Sequence, residues 1–319
     1  MNSTLHLQNI SLSHIDFEDF SYSISPGRDV LPDETLNKSI IRYGILHPPL
    51  VKKGGSGLYN IIAGRKRLLT VRSLHTENIC SCLVISRHIP EIDVFHFLLE
   101  EIQLTRQLTA VEKAIFLQKI AAITDEKLII REFLPRLGLV PKPFSIQQAF
   151  KLLDLEDPII HSIHHGKISE PVAHDLMLLS TQERMVLFEI ITTLRLSGNY
   201  QKKLLNICRD LASRNNTSIA VLLNSDEVHD ILHHQEANPP QKTKNLMFWL
   251  SRKHMPRYGQ AAEEFSRFMT EMHLPPNVSV AHTPFFEDDS MTLTITFPNR
   301  KSLQYAWEKI RHTTQNSDN

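Results

Sequence analysis

Leu58-Tyr59-Asn60-Ile61-Ile62-Ala63-Gly64-Arg65-Lys66-Arg67-Leu68-Leu69-Thr70-Val71-Arg72 joins an apolar run to a glycine and then to four cations, with no acid before Glu77. Upstream, Pro49 to Lys53 and the turn Gly54-Gly55-Ser56-Gly57 combine with Leu58 to Ile62 into a β-hairpin. The local order is therefore strand, turn, strand, glycine, basic helix. A helix start exposes unpaired backbone N–H groups and partial positive charge, and Arg65, Lys66 and Arg67 add full charges to it, which suits an anion such as phosphate. A solvated basic helix face is the alternative reading.

Working outward, Asp33 suits a helix N-cap, Leu36, Ile40 and Ile41 an apolar helix face, and Gly44 a stop. A strand from Cys82 to Ser86 precedes a helix from about Ile92 to Thr105, so residues 1–107 read as a small mixed α/β domain. Residues 108–237 follow the helical period. Leu108, Val111, Ile115 and Ala122 share a face behind the capping box Thr109-x-x-Glu112, Ser180-x-x-Glu183 repeats that start, and Gly138, Gly166 and Gly198 mark helix ends. Asn238-Pro239-Pro240 opens a third region, 238–319, of helix-helix-β-β-α order. There Met291, Leu293, Ile295 and Phe297 alternate with Thr292, Thr294 and Thr296, which predicts one buried and one polar face. Asn299 is placed to cap a last helix carrying Leu303, Ala306, Trp307 and Ile310, and Trp249 and Trp307 fit helix packing faces. The fold class is α+β, and such a tail could pair with a second copy of the chain.

The 319 residues are 41% hydrophobic and 22% charged, which excludes collagen, coiled-coil rods and wholesale disorder. Lys plus Arg and Asp plus Glu each number 35, so any affinity for nucleic acid must come from local patches. The three cysteines, Cys80, Cys82 and Cys208, are too few for a disulfide framework and fit a reducing compartment. Residues 1–10 lack the pattern of a secretory leader, and no stretch of about 18 uncharged apolar residues occurs. The expectation is a cytoplasmic protein with no membrane partner.

Three segments resemble, in order, motifs of the ParB family of centromere-binding partition proteins. Ser39 to Val51, with Gly44-Ile45-Leu46-His47-Pro48-Pro49-Leu50-Val51, looks like its G-I-L-Q-P-L-x-V run; Tyr59 to Arg67 looks like its Y-x-I-I-A-G-E-R-R box; Leu108 to Ala114 looks like its L-x-x-x-E-x-A helix start. The likeness is specific from about residue 30 to 125 and fainter beyond. In that family the N-terminal domain binds CTP with Mg²⁺ and closes as a clamp on DNA. The resemblance implies that Gly64, Lys66 and Arg67 contact phosphate beside Arg65, which stands at a family glutamate, while His47 stands at a glutamine. The family's acidic motif, E-N followed by an arginine, falls on Glu100 to Arg106, making Glu101 the metal ligand and Arg106 a nucleotide contact. Ile102 replaces the asparagine and has no oxygen for Mg²⁺, so at most weak CTP hydrolysis is implied.

The resemblance also implies a helix-turn-helix, whose second helix enters the major groove. Ile130 to Leu137, the turn Gly138-Leu139-Val140 and Phe144 to Leu153 supply it, with Lys142, Ser145, Gln147, Gln148 and Lys151 as DNA contacts and the glutamines able to read adenine. Pro141 and Pro143 replace the expected polar start, and a helix packed inside a bundle is the alternative. His161, His164, His165 and the pair His229 and His233 suit solvated helix ends or a metal, and Cys80 and Cys82 share a strand face without the second pair that zinc needs. The function expected is a nucleoid-associated, DNA-binding partition protein, dimeric through its tail, with a CTP switch and a partition ATPase as a further partner. Two alternatives stand. A phosphoryl-transfer or nuclease enzyme on the same fold lacks converging carboxylates, and sulfiredoxin chemistry needs a cysteine where Arg65 stands. A scaffold or transcriptional regulator without nucleotide hydrolysis or centromere recognition is favoured by Ile102, Pro141 and Pro143.

Overall fold

The structure is a computed structural model, described over residues 5–27, 34–74, 78–283 and 290–315, without side chains for 257–263 and 308–315. The chain separates into two compact units, residues 1–202 and 203–319. The first is built on a five-stranded sheet of β1 (Leu5–Ser11), β2 (Ile15–Asp16), β3 (Leu50–Lys53), β4 (Tyr59–Ala63) and β5 (Ile79–Ile85), in the order β1-β5-β3-β4-β2. Helices α1 (Glu34–Tyr43), α2 (Arg65–Leu74) and α3 (Glu91–Gln103) alternate with the later strands. Gly44, at φ +70°, stops α1, while Asp33 lies outside the described residues.

The expected hairpin is present. β3 and β4 run antiparallel with Val51 opposite Ile61, and the Gly54 N–H donates to the Leu58 carbonyl at 2.7 Å to close the turn. β5 pairs parallel to β3 and antiparallel to β1. The two-residue period of the strands then sorts their side chains between two faces. Val51, Ile61, Cys80, Cys82 and Val84 pack with Leu68 of α2 on one. Leu50, Ile62 and Ile85 pack with Val94, Phe95, Leu98 and Leu99 of α3 on the other. The second cluster continues without a break into Phe116, Leu117, Phe133, Leu134 and Ile146, so sheet and following helices share one core.

Those helices are α4 (Ala110–Ala121), then α5 (Glu126–Leu128), a π-helical turn (Ile129–Phe133) and α6 (Leu134–Arg136) in continuous succession, and α7 (Pro143–Leu153). Pro135 has no N–H to return to the preceding turn, and the Leu134 N–H reaches Ile129, so the helix widens where proline interrupts its ladder. Helices α8 (Asp157–His164), α9 (Glu170–Leu176) and α10 (Thr181–Thr193) follow. Both capping boxes form, at Thr109 with Glu112 and at Ser180 with Glu183. Gly138 and Gly166 end helices at φ +68° and +69°. Gly198 does not: it opens α11 (Gly198–Arg214), and Arg195 takes the left-handed position after α10 instead.

After α12 (Ile219–Leu223) and α13 (Asp226–His233), the second unit follows the expected order: α14 (Pro239–His254), α15 (Pro256–Glu271), β6 (Val278–His282), β7 (Met291–Ile295) and α16 (Arg300–Gln315). Asn238 caps α14 by accepting the Gln241 N–H at 3.0 Å. The buried face expected of β7 is corrected, because Met291 and Leu293 are more than half exposed, as is Trp307. Two strands alone cover little of each other's surface. The chain is thus a mixed α/β unit with a mostly helical remainder, the α+β class expected.

Candidate functional site

Gly64 joins β4 to α2 at φ +89°, a conformation that side-chain-bearing residues rarely adopt. A Cβ there would lie 2.9 Å from Nη2 of Arg67 and 3.0 Å from Cβ of Pro49, so the guanidinium of Arg67 folds back over a position only glycine leaves open. Nη1 of Arg67 donates to the carbonyl of His47, and Nη2 donates to Oε1 of Glu101 at 3.2 Å. Four residues singled out in the sequence, His47, Gly64, Arg67 and Glu101, are thereby brought together from three separate segments. His47 takes part through its backbone, and its ring is exposed.

The other cations of the box go elsewhere. Arg65 donates to the carbonyls of Phe17 and Asp19, and its guanidinium lies 4.2 Å from the centre of the Phe20 ring. Burial lowers its pKa against the attraction of Asp19. Lys119 of α4 donates to the Phe20 carbonyl at 3.0 Å, so two cations hold the Phe17–Phe20 segment by its backbone. Lys66 is exposed and has no partner among the described residues. Arg106 grips Glu112 through both terminal guanidinium nitrogens, Nη1 and Nη2, at 2.7 and 2.6 Å, and does not join the Arg67 cluster. Glu112 is 1% exposed. Burial pushes its carboxyl upward, but Arg106 and the Thr109 N–H outweigh burial and hold it below the usual carboxylate range. One side chain thus closes the capping box of α4 and anchors the segment leaving α3, a role missed in the sequence although the box itself was legible.

Mg²⁺ needs hard oxygen ligands and is often held by one or two carboxylates with substrate phosphates and water. Glu101 supplies one carboxylate, and Ile102 packs against the core and supplies none. Glu100 is engaged at 2.5 Å by Arg136. Among the described residues no group of three or more His, Cys, Asp or Glu side chains gathers to hold a metal unaided. The residues therefore fit a metal shared with phosphate oxygens and not a dedicated protein cage. Cys80 and Cys82 are buried in the sheet core, where the contact with Cys80 and then burial push the Cys82 thiol upward.

The expected helix-turn-helix has the predicted order. Residues 126–136 form its first helix, Gly138 turns the chain, and α7 is the second, with Lys142 extended at its N-cap and Pro143 in its first turn. Proline is suited there, because a first-turn N–H has no helical partner to lose. Lys142, Gln147 and Lys151 are exposed and Gln148 is half-buried. Ser145 spends its hydroxyl proton on the Val140 carbonyl at 2.7 Å, bracing the turn. Ile146 and Leu152 are buried on the opposite side, so α7 is packed by one face and open on the other. Phe144, also exposed, went unnoticed in the sequence, yet its spacing of three, four and seven from Gln147, Gln148 and Lys151 placed it on the polar face.

A glycine-led basic helix after a hairpin, within an α/β unit that runs on into a helix-turn-helix, is the order of elements that the resemblance to ParB proteins implied. The chain's curated relatives are nucleoid occlusion proteins. That of Halalkalibacterium halodurans is 32% identical over 163 residues, 50% of this chain and 54% of the relative. That of Lysinibacillus sphaericus is 28% identical over 149 residues, 47% and 48% respectively. The chain thus spans about half the length of the curated relatives it matches. Among solved structures, C-terminally truncated ParB of Caulobacter crescentus complexed with CTP-gamma-S aligns over 59% of this chain and 99% of that one, at 16% identity and a TM-score of 0.26. No family model matches.

Proposed function

We propose that the chain is a DNA-binding partition or nucleoid protein whose N-terminal unit holds CTP. The observation that carries the nucleotide half is the convergence of Gly64, Arg67 and Glu101 beside the His47 carbonyl. Arg67, Lys66 and the first N–H groups of α2 would hold the triphosphate, and Glu101 would hold Mg²⁺ together with phosphate oxygens. When bound, the metal supplies charge compensation on the phosphates. The 3.2 Å pair of Arg67 with Glu101 is partly exposed, so both groups could exchange partners. Arg65 serves the fold in this reading, and Arg106 anchors α4. With Ile102 in place of a polar ligand, the site suits binding better than hydrolysis.

The open face of α7 supports the DNA half, in which Lys142, Gln147, Gln148 and Lys151 would meet phosphates and base edges. The relatives' name, nucleoid occlusion protein, supports nucleoid association. Among the described residues no helix is long and apolar enough to cross a membrane. Uncovered Met291, Leu293 and Trp307 support self-pairing of the tail. A partition ATPase as partner rests on the family resemblance alone.

The test is thermal melting with CTP, ATP or GTP and Mg²⁺, on the native chain and on Arg67→Ala. CTP at about a hundred times its Kd should stabilise the native chain by about 2.7 kcal/mol, and the gain should vanish in the variant. A native chain indifferent to all three nucleotides overturns the nucleotide half, and duplex binding indifferent to salt overturns the DNA half.

A further inference from the structure

Phe144, in the first turn of α7, is 64% exposed, and Val140, in the turn before it, is 59% exposed. α7 has a well-packed apolar face, carrying Ile146 and Leu152, and Phe144 is not on it. It shares the open face with Gln147, Gln148 and Lys151. The ring therefore gives up the burial that stabilises aromatic side chains in a core. Its surroundings favour a polyanion. Lys142 precedes it, Lys151 ends the same face, and the cleft of about 450 Å³ that it borders is rimmed by Lys113 and Lys142 against one acid, Glu170.

The major groove of DNA presents donors and acceptors on every base edge, but one apolar group, the C5-methyl of thymine. We propose that Phe144 is a specificity-determining residue that packs on a thymine methyl, with Gln147 beside it reading an adjoining adenine. The site recognised then carries thymine under the start of α7. This inference rests on the DNA-binding reading and adds what the helix reads. A polar residue at this position would contact base edges by hydrogen bonds, whereas the ring can distinguish thymine from uracil, which differ only in that methyl.

The full chain is first used to enrich duplexes from a random-sequence pool. The enriched duplex is then made twice, once with thymine and once with uracil at every thymine. The native chain should bind the uracil form more weakly by about fourfold per methyl contacted. Phe144→Ala should bind both forms alike, melt as the native chain does, and keep the native salt dependence, because the lysines are untouched. Equal native affinity for the two forms overturns the role of Phe144 and leaves DNA binding intact. Discrimination that survives in Phe144→Ala, or a variant that melts early, also overturns it. Failure of the native chain to bind any duplex overturns the DNA-binding reading itself.

Discussion

Two helix starts in this molecule both carry cations but differ in what already holds them. At α2 a glycine at φ +89° leads into Arg65, Lys66 and Arg67, and at α7 a proline follows Lys142 and leads into Phe144. In the first, the chain has already answered most of its own charge: Arg65 by the carbonyls of Phe17 and Asp19, Arg67 by the His47 carbonyl and Glu101. In the second, the side chains of Lys142, Gln147 and Lys151 have no partner among the described residues. The density of cations in a motif measures how much charge can be held, but segments distant in the chain decide which charges are free. The start of α2 is a preorganised socket, and the start of α7 an open, unpaired face.

The sharpest way to break that contrast is at the socket. Gly64→Ala forces a Cβ to within 3.0 Å of Pro49 and of Arg67 at a positive φ, so it should cost about 2–3 kcal/mol in urea denaturation. A loss below about 0.5 kcal/mol would mean the turn relaxes freely and the socket is not preorganised. Next in size is Glu112→Gln, at about 2 kcal/mol, because it weakens two charge-assisted bonds to Arg106. Arg106 is half-exposed, and water offsets part of the loss. The folded-state pKa of Glu112 lies below its ordinary value, so its contribution is complete above the usual carboxylate range, near about 4.3. It is lost as pH falls through the depressed folded value. Native stability should therefore fall in acid more steeply than that of Glu112→Gln, as melting at a series of pH values would show.

The hairpin, Gly64, both capping boxes and the helix-turn-helix were legible because each is a local pattern with a local cause. β1 and β2 were not. They close the sheet at its two edges, and their pairing with β5 and β4 spans a separation that no window of sequence displays. The destination of Arg65 was hidden for the same reason, since its carbonyl partners lie 48 and 46 residues upstream. The period of β7 was read correctly as a strand and wrongly as a buried face, because periodicity reports which side chains share a face and not what covers it.

The two arginines of the socket separate structure from ligand binding. Arg65→Ala removes hydrogen bonds to two carbonyls and the contact with Phe20, so it should cost about 1–2 kcal/mol in denaturation while leaving the CTP response in place. Arg67→Ala should lower stability less, because a partly exposed ion pair contributes about 1 kcal/mol or below, and should abolish the CTP response. The reverse assignment would make Arg65 the phosphate ligand and require the Phe17–Phe20 segment to release it.

The smallest effect on stability is expected where the effect on function is clearest. Lys151 is exposed at the end of the open face of α7, so Lys151→Ala should change denaturation by less than about 0.5 kcal/mol. If it neutralises a DNA phosphate, the same change should reduce the slope of log affinity against log salt by about one and weaken binding to all sequences alike. Gln147→Ala should do the opposite, keeping the slope and losing discrimination at one base pair. The two variants share a helix face and differ only in whether charge or a hydrogen-bonding edge is removed. A salt titration on matched and mismatched duplexes therefore assigns each residue to the backbone or to the base. Equal slopes for the native chain and Lys151→Ala would take the phosphate contact away from Lys151, and the contrast between socket and open face would have to be redrawn with Lys142 alone.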